Sequence, residues 1–92
     1  MENQHKHITG YRDLTAEEIA LMNEVKDHAE RTRELVNHVE HYILAQDAQP
    51  KPDGYVPYSA VTHPMRWASI ARTDLQTGYM ALVRAIAKPT TF

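Results

Sequence analysis

The sequence predicts an all-α protein, an antiparallel two-helix hairpin with an N-terminal arm that assembles into a helical homo-oligomer. Three observations predict this fold class. Apolar residues recur every three or four positions in two long stretches. A helix-capping motif opens the first stretch, and proline and glycine are concentrated between the two. The predicted single domain (1–92) comprises an arm (1–14), helix 1 (15–46), a loop (47–63), helix 2 (64–87) and a tail (88–92).

The first predicted helix begins at a capping box. Thr15 is followed three residues later by Glu18, and in this motif each side chain can bond the free backbone amide of the other residue. The apolar and small residues that follow alternate spacings of three and four, which indicates a heptad seam. The seam consists of Met22, Val25, Ala29, Thr32, Val36, Val39 and Ile43. One flank of it carries Leu21, His28, Leu35 and Tyr42, and the other carries Lys26 and Arg33.

The loop is predicted from its helix-breaking residues, which exclude regular secondary structure. These residues are Pro50, Pro52, Gly54 and Pro57. A turn is expected at 52–54. Pro64 suits the first turn of the second helix, with Thr62 or His63 as its cap, and Pro89 follows its end.

The second predicted helix is apolar on several faces. One seam consists of Ala68, Ala71, Leu75, Gly78, Leu82 and Ala85, and further apolar residues are Trp67, Ile70, Tyr79, Met80, Val83 and Ile86. A single partner helix covers only one face, and oligomerisation commonly completes the core of a small scaffold. We therefore expect several copies of the chain to pack together.

Composition limits the classes of ligand and location. A formal charge of −2 argues against a polynucleotide partner, although a small phosphorylated ligand needs only one or two local cations. The chain has no cysteine, and therefore no disulfide framework or thiolate chemistry. Its first residues lack the apolar stretch of a signal peptide, and no apolar run approaches the ~20 residues of a membrane span. These features predict a cytoplasmic protein with no membrane partner.

The sequence carries no motif that indicates catalysis or a metal site. His38 and His41 lie three residues apart, a turn after Glu34, but without the four-residue spacing and intervening glutamate of the zinc-protease helix. The serines, Ser59 and Ser69, stand outside any nucleophile motif. We therefore predict a protein that is not an enzyme and that has no cofactor and no metal.

Two residues outside the packing pattern could serve a ligand. Tyr11 offers a flat ring on which a nucleobase can stack, and Lys26 offers a compact charge for a phosphate. Gly10 would allow the backbone to approach a ligand closely. Spacing alone favours a structural interpretation, in which Tyr11 packs on Leu14 and Lys26 is solvated.

Two long stretches of the chain resemble a known family. "ENQHKHITGYRDLTAEEIALMNEVK" and "RWASIARTDLQTGYMALVRAIAKPTTF" are similar to the helical-hairpin family of bacteriophage anti-CBASS proteins, which are cyclic-oligonucleotide sponges. The hairpin also resembles the N-terminal part of a related phage sponge for the cyclic ADP-ribose signal of Thoeris defence. The resemblance covers the arm and both helices, roughly residues 2–47 and 65–92.

The resemblance implies a homohexamer in the cytoplasm of the infected bacterial host. Such a hexamer binds cyclic dinucleotides, for example 3′,3′-cyclic GMP–AMP, between protomers without hydrolysing them. Some members of the family also hold cyclic trinucleotides on the three-fold axis. By position, the base-stacking tyrosine of the family falls on Tyr11 and its phosphate-binding lysine falls on Lys26. The remaining ligand residues that the resemblance implies are Gly10, Arg12, His7, Arg72 and Thr73.

Three alternatives stay open at this stage. A structural or adaptor coiled-coil protein would bind no nucleotide. A phosphodiesterase would need metal ligands or a general base such as His38 or His41. A sponge for a cyclic ADP-ribose signal would share the fold but not the preferred ligand.

Overall fold

The structure, a computed structural model, describes residues 13–90 as two helices joined by a loop. Helix α1 spans Ala16–Asp47 and helix α2 spans Pro64–Ala87. They pack side by side as a hairpin, which confirms the predicted all-α fold class. Residues 1–12, which form most of the predicted arm, lie outside the described residues.

The predicted capping box at the start of α1 is confirmed. The backbone N–H of Glu18 donates to Thr15 Oγ1 at 3.1 Å, and the backbone N–H of Thr15 donates to Glu18 Oε1 at 2.9 Å. Glu17 and Glu18 also place negative charge in the first turn, where the helix dipole favours it. Local chemistry alone therefore specifies where α1 begins.

Two polar contacts between the helices define an antiparallel register. Thr32 Oγ1 and Tyr79 OH lie 2.6 Å apart. Eight residues later on α1, Glu40 accepts two hydrogen bonds from Arg72, at 2.8 and 3.1 Å. Residue numbers therefore rise along α1 as they fall along α2. This register places Lys26 opposite the last turn of α2.

Arg72 is the polar anchor of the hairpin. Its guanidinium also donates to Asn37 Oδ1 at 2.5 Å. Hydrogen bonding from Arg72 lowers the pKa of Glu40, and the same bond raises the pKa of Arg72. Sliding one helix along the other would separate Arg72 from Glu40 and Asn37 and leave these polar groups without partners, which is unfavourable. We therefore infer that this network fixes the register between the helices.

The hairpin is long and thinly packed. It measures 65 × 23 × 17 Å with a radius of gyration of 19.9 Å, whereas a compact chain of this length would have one of about 12 Å. Within residues 13–90, the buried apolar side chains are Ile43 and Ala87, one near each end of the helix pair. The middle of the hairpin thus leaves both helices open along their flanks.

Most of the predicted seam on α2 is exposed in the single hairpin. Five of its residues are exposed: Ala71, Leu75, Gly78, Leu82 and Ala85. The half-buried positions of α2 include Met65, Ala68, Arg72, Tyr79, Val83 and Ile86. On α1, likewise, Val39 of the predicted seam is exposed, while Glu40 beside it is half-buried. Polar side chains take part of the interface instead, since Arg72, Glu40 and Asn37 are hydrogen-bonded across it and all three are half-buried.

The connection between the helices is ordered by local hydrogen bonds. The predicted turn is confirmed, because the Tyr55 N–H donates to the Pro52 carbonyl at 3.1 Å and Gly54 has a φ of +80°. Such a positive φ favours glycine. Of the two predicted caps for α2, His63 is the one used, and its Nδ1 accepts from the Arg66 N–H at 3.4 Å.

Candidate ligand-binding groove

An open cavity of about 500 Å³ lies between the two helices near the middle of the hairpin. We call it the central cavity. Its lining residues on α1 are Lys26, Ala29, Glu30, Thr32, Arg33 and Val36. Those on α2 are Arg72, Leu75, Gln76, Tyr79 and Met80. The volume falls within the ~300–1,000 Å³ typical of small-molecule sites.

The floor of the central cavity is held in place by one contact between the helices. The hydroxyl groups of Thr32 and Tyr79 lie 2.6 Å apart and share a hydrogen bond, which fixes the Tyr79 ring against α1. Met80 is largely exposed beside it. The floor therefore combines a fixed aromatic ring with a flexible thioether, and both can contact a flat apolar group.

Three cations line the central cavity, and they differ in their partners. Arg72 is bound to Glu40 and Asn37. Arg33 donates to Glu30 through Nε at 3.1 Å and Nη2 at 2.5 Å. Within residues 13–90, Lys26 has neither a hydrogen-bond partner nor an ion-pair partner. Lys26 is therefore the cation of this cavity that can accept an anionic ligand without first losing a contact.

Lys26 also lines a second cavity of about 590 Å³, which we call the end cavity. The two cavities share Lys26, Ala29, Tyr79 and Met80. The end cavity continues along α2 to Ala87 and Pro89. Lys26 thus stands at the junction of a continuous groove that follows the hairpin toward the N-terminal end of α1.

The structure places some of the predicted site residues in this groove and leaves others out. Lys26 and Arg72 both line the central cavity. Thr73 is exposed and lines neither cavity, and its carbonyl accepts a hydrogen bond from Thr77 Oγ1 at 3.0 Å. Four further predicted residues lie outside the described residues: His7, Gly10, Tyr11 and Arg12.

The sequence did not identify several residues of the groove as site residues. The sequence places Tyr79 and Met80 only on apolar faces of helix 2, and no pattern in it distinguishes Gln76. It places Arg33 on the same flank as Lys26 but indicates no role for it. The available signal was the spacing of seven residues between Lys26 and Arg33, which puts two cations on one face of a helix two turns apart.

Neither a metal site nor a membrane span is found in the described part of the chain. His38 and His41 are exposed on α1, and residues 13–90 contain no group of three side chains placed to hold a metal ion. Over the same range, neither helix contains a stretch apolar enough to cross a bilayer.

The fold and the groove define a helical-hairpin protein with an open, cation-lined cleft between its helices. The model of the Acb2/Tad1 hairpin domain family matches residues 3–87, and this chain belongs to that family. Anti-CBASS protein 2 of Pseudomonas phage JBD67 is 38% identical over 105 aligned positions, which cover 97% of each chain. The predicted resemblance to the anti-CBASS family is therefore confirmed.

Proposed function

We propose that this chain is a phage anti-defence protein that captures cyclic dinucleotide messengers, such as 3′,3′-cyclic GMP–AMP, without cleaving them. Capture in the cytoplasm of the infected host would keep a CBASS effector from being activated. The observation that carries the proposal is Lys26, an unpaired cation among the described residues, at the junction of the groove. The near-full-length similarity to an anti-CBASS protein supports the same function.

The chemistry of the groove suits such a ligand. A cyclic dinucleotide presents two phosphodiesters and two flat bases. Lys26 offers a point charge to one phosphate, and Tyr79 and Met80 offer apolar surface to a base. Binding of this kind requires positioning groups and no catalytic residue, since inhibition then follows from mass action. It requires tighter binding than that of the host effector, and comparable or greater abundance.

The predicted stacking residue, Tyr11, is proposed to come from a second copy of the chain. Lys26 lies eleven residues beyond the cap Thr15, which corresponds to ~16 Å along the helix. An arm preceding Thr15 would have to fold back to reach the lysine of its own chain, whereas an antiparallel neighbour brings its arm there directly. A two-fold site would then contain two tyrosines and two lysines, matching the two bases and two phosphates of the ligand.

The remaining residues that the resemblance implies have proposed roles around this site. Gly10 and Arg12 would flank Tyr11 at its mouth, and His7 would lie further along the arm. Arg72 and Thr73 remain proposals for contacts to the ligand backbone or to a cyclic trinucleotide. For Arg72 such a contact competes with Glu40 and Asn37, to which it is already bound.

The exposed apolar rows support a proposed homohexamer. The row on the α1 flank away from Lys26 carries Leu35 and Tyr42, each 61% exposed. The row on α2 carries Leu82, which is 51% exposed, along with Gly78 and Ala85, which are small enough to allow a close helix approach. None of these five residues lines the central or the end cavity. Assembly through these rows would therefore leave the groove accessible.

Calorimetric titration with 3′,3′-cyclic GMP–AMP at ~50 and ~200 mM salt tests the proposal. We expect saturable binding that weakens severalfold at the higher salt concentration, because the phosphate contacts are screened within a Debye length of about 10 Å at 0.1 M. GMP at the same concentrations is the control ligand, and it should bind far more weakly because it presents one base. The absence of binding heat at both salt concentrations would contradict the proposal and favour a structural or adaptor protein.

A further inference from the structure

Arg33 lies on the same face of α1 as Lys26, two turns further along. The seven residues between them correspond to about 10 Å along the helix. Both side chains line the central cavity. A ligand that spans the cavity from its junction end would therefore meet the lysine first and the arginine second.

In the free hairpin Arg33 is held by Glu30 on the preceding turn. Both side chains of this ion pair are more than half exposed, at 55% and 56%. Hydrogen bonding from Arg33 lowers the pKa of Glu30, so Glu30 is ionised at neutral pH. Exposed pairs of this type contribute little to stability, and an incoming anion can therefore replace the carboxylate at small cost.

Arg72, on the opposite wall, differs from Arg33 in its surroundings. Its side chain and that of Glu40 are 32% and 23% exposed, and Asn37 adds a further hydrogen bond. This network sets the register of the hairpin, so its exchange would disturb the packing of the helices. Of the two arginines, Arg33 is the exchangeable one.

We propose that Arg33 is a second anion-binding residue of the central cavity. Glu30 binds the Arg33 guanidinium in the free protein, and a ligand phosphate replaces Glu30 in the complex. This inference rests on the proposed function and adds a second cation of each chain to the phosphate contacts of its site. A guanidinium matches the paired oxygens of a phosphodiester with two parallel hydrogen bonds. In the two-fold site proposed above, each chain then offers one phosphate of the ligand two cations, Lys26 and Arg33. Glu30 acts as a competitor that lowers the affinity of the cavity for anions.

Three variants separate this arrangement from general electrostatics. In Arg33→Gln the second cation is lost, in Glu30→Gln the competitor is lost, and the double variant lacks both. Asp27→Asn is the matched control for Glu30→Gln. It also removes one negative charge close to Lys26, but Asp27 lines neither cavity. Far-UV circular dichroism and light scattering confirm that each variant keeps the helices and the assembly of the wild-type protein.

Calorimetry with 3′,3′-cyclic GMP–AMP gives the readout. We expect Arg33→Gln to weaken binding about fivefold or more and Glu30→Gln to strengthen it about threefold, which corresponds to the range of exposed charge pairs. In the Arg33→Gln background, Glu30→Gln should raise the affinity no more than Asp27→Asn does. This is the behaviour expected if Glu30 and Arg33 are energetically coupled.

The outcomes distinguish this inference from the function on which it rests. If the wild-type protein binds and a Lys26 variant does not, but Arg33→Gln retains wild-type affinity, this inference is overturned and the proposed function stands. The same conclusion follows if Glu30→Gln and Asp27→Asn change the affinity equally in both backgrounds. A wild-type protein that binds no cyclic dinucleotide overturns both.

Discussion

Replacing Lys26 with glutamate is expected to abolish capture of 3′,3′-cyclic GMP–AMP while leaving the hairpin folded. Lys26 is exposed and unpaired within residues 13–90, so its removal costs the free chain no contact there. In the groove, however, the substitution replaces an attraction to a phosphate with a repulsion. If each site contains Lys26 from two chains, the substitution removes two such attractions from every site. Calorimetry on oligomers of matched size measures the effect, which should exceed a hundredfold, or about 2.7 kcal/mol.

Lys51→Glu is the matched control for this experiment. It reverses the same charge in the loop, beyond the end of α1, some 30 Å from Lys26 along the helix. In the wild type, Lys51 Nζ donates to the Asp47 carbonyl, and Lys51 lines neither cavity. We expect it to bind as the wild type does. Equal affinity of the wild type and Lys26→Glu would return Lys26 to the role of a solvated flank residue.

Replacing Leu82 with glutamate is expected to dissociate the assembly. Leu82 is 51% exposed within one chain, so the single hairpin tolerates a carboxylate there. Between chains the same carboxylate would be buried without a partner, which costs several kcal/mol per site. Light scattering should give about six times 10.6 kDa for the wild type and a smaller mass for the variant.

Ser69→Glu is the control for the assembly experiment. It introduces the same charge at an exposed polar position on α2 that lines neither cavity, and it should retain the wild-type mass. A wild-type protein that is monomeric at micromolar concentration would contradict the proposed assembly. So would a Leu82→Glu variant of unchanged mass, since that result would mean the α2 row faces solvent.

The elements that follow from local chemistry were predictable from the sequence. The Thr15–Glu18 capping box needs only residues three apart, and the turn at 52–54 needs only proline and glycine in order. The hairpin itself follows from two amphipathic stretches with one break between them. In each case the physical cause lies within a few residues of its effect.

The packing between the helices was less predictable, because it depends on residues far apart in the sequence. A heptad seam on α2 indicates that a face is apolar, but it does not specify which partner covers it. In the hairpin, Arg72 binds Glu40 and Asn37 across the helix interface, while Gly78 and Leu82 of the predicted seam are exposed. No periodicity analysis of α2 alone contains that information.

The candidate site was predictable only in part. Lys26 came from the resemblance to a family, since spacing alone left it as a solvated residue. Tyr79 and Arg33 enter the groove through their contacts with Thr32 and Glu30 and through the register of the helices. A sequence shows neither of these before the hairpin is built.

The central claim is that the protein holds an intact cyclic dinucleotide, and a capture-and-release measurement tests it most directly. The protein is incubated with 3′,3′-cyclic GMP–AMP, freed of unbound nucleotide, denatured by heat and analysed by chromatography against linear and cyclic standards. We expect the cyclic dinucleotide to be released unchanged, in proportion to the protein, and none to be recovered from Lys26→Glu. Recovery of a linear product would indicate a phosphodiesterase, and recovery of no nucleotide from the wild type would indicate an adaptor; either result would contradict the account.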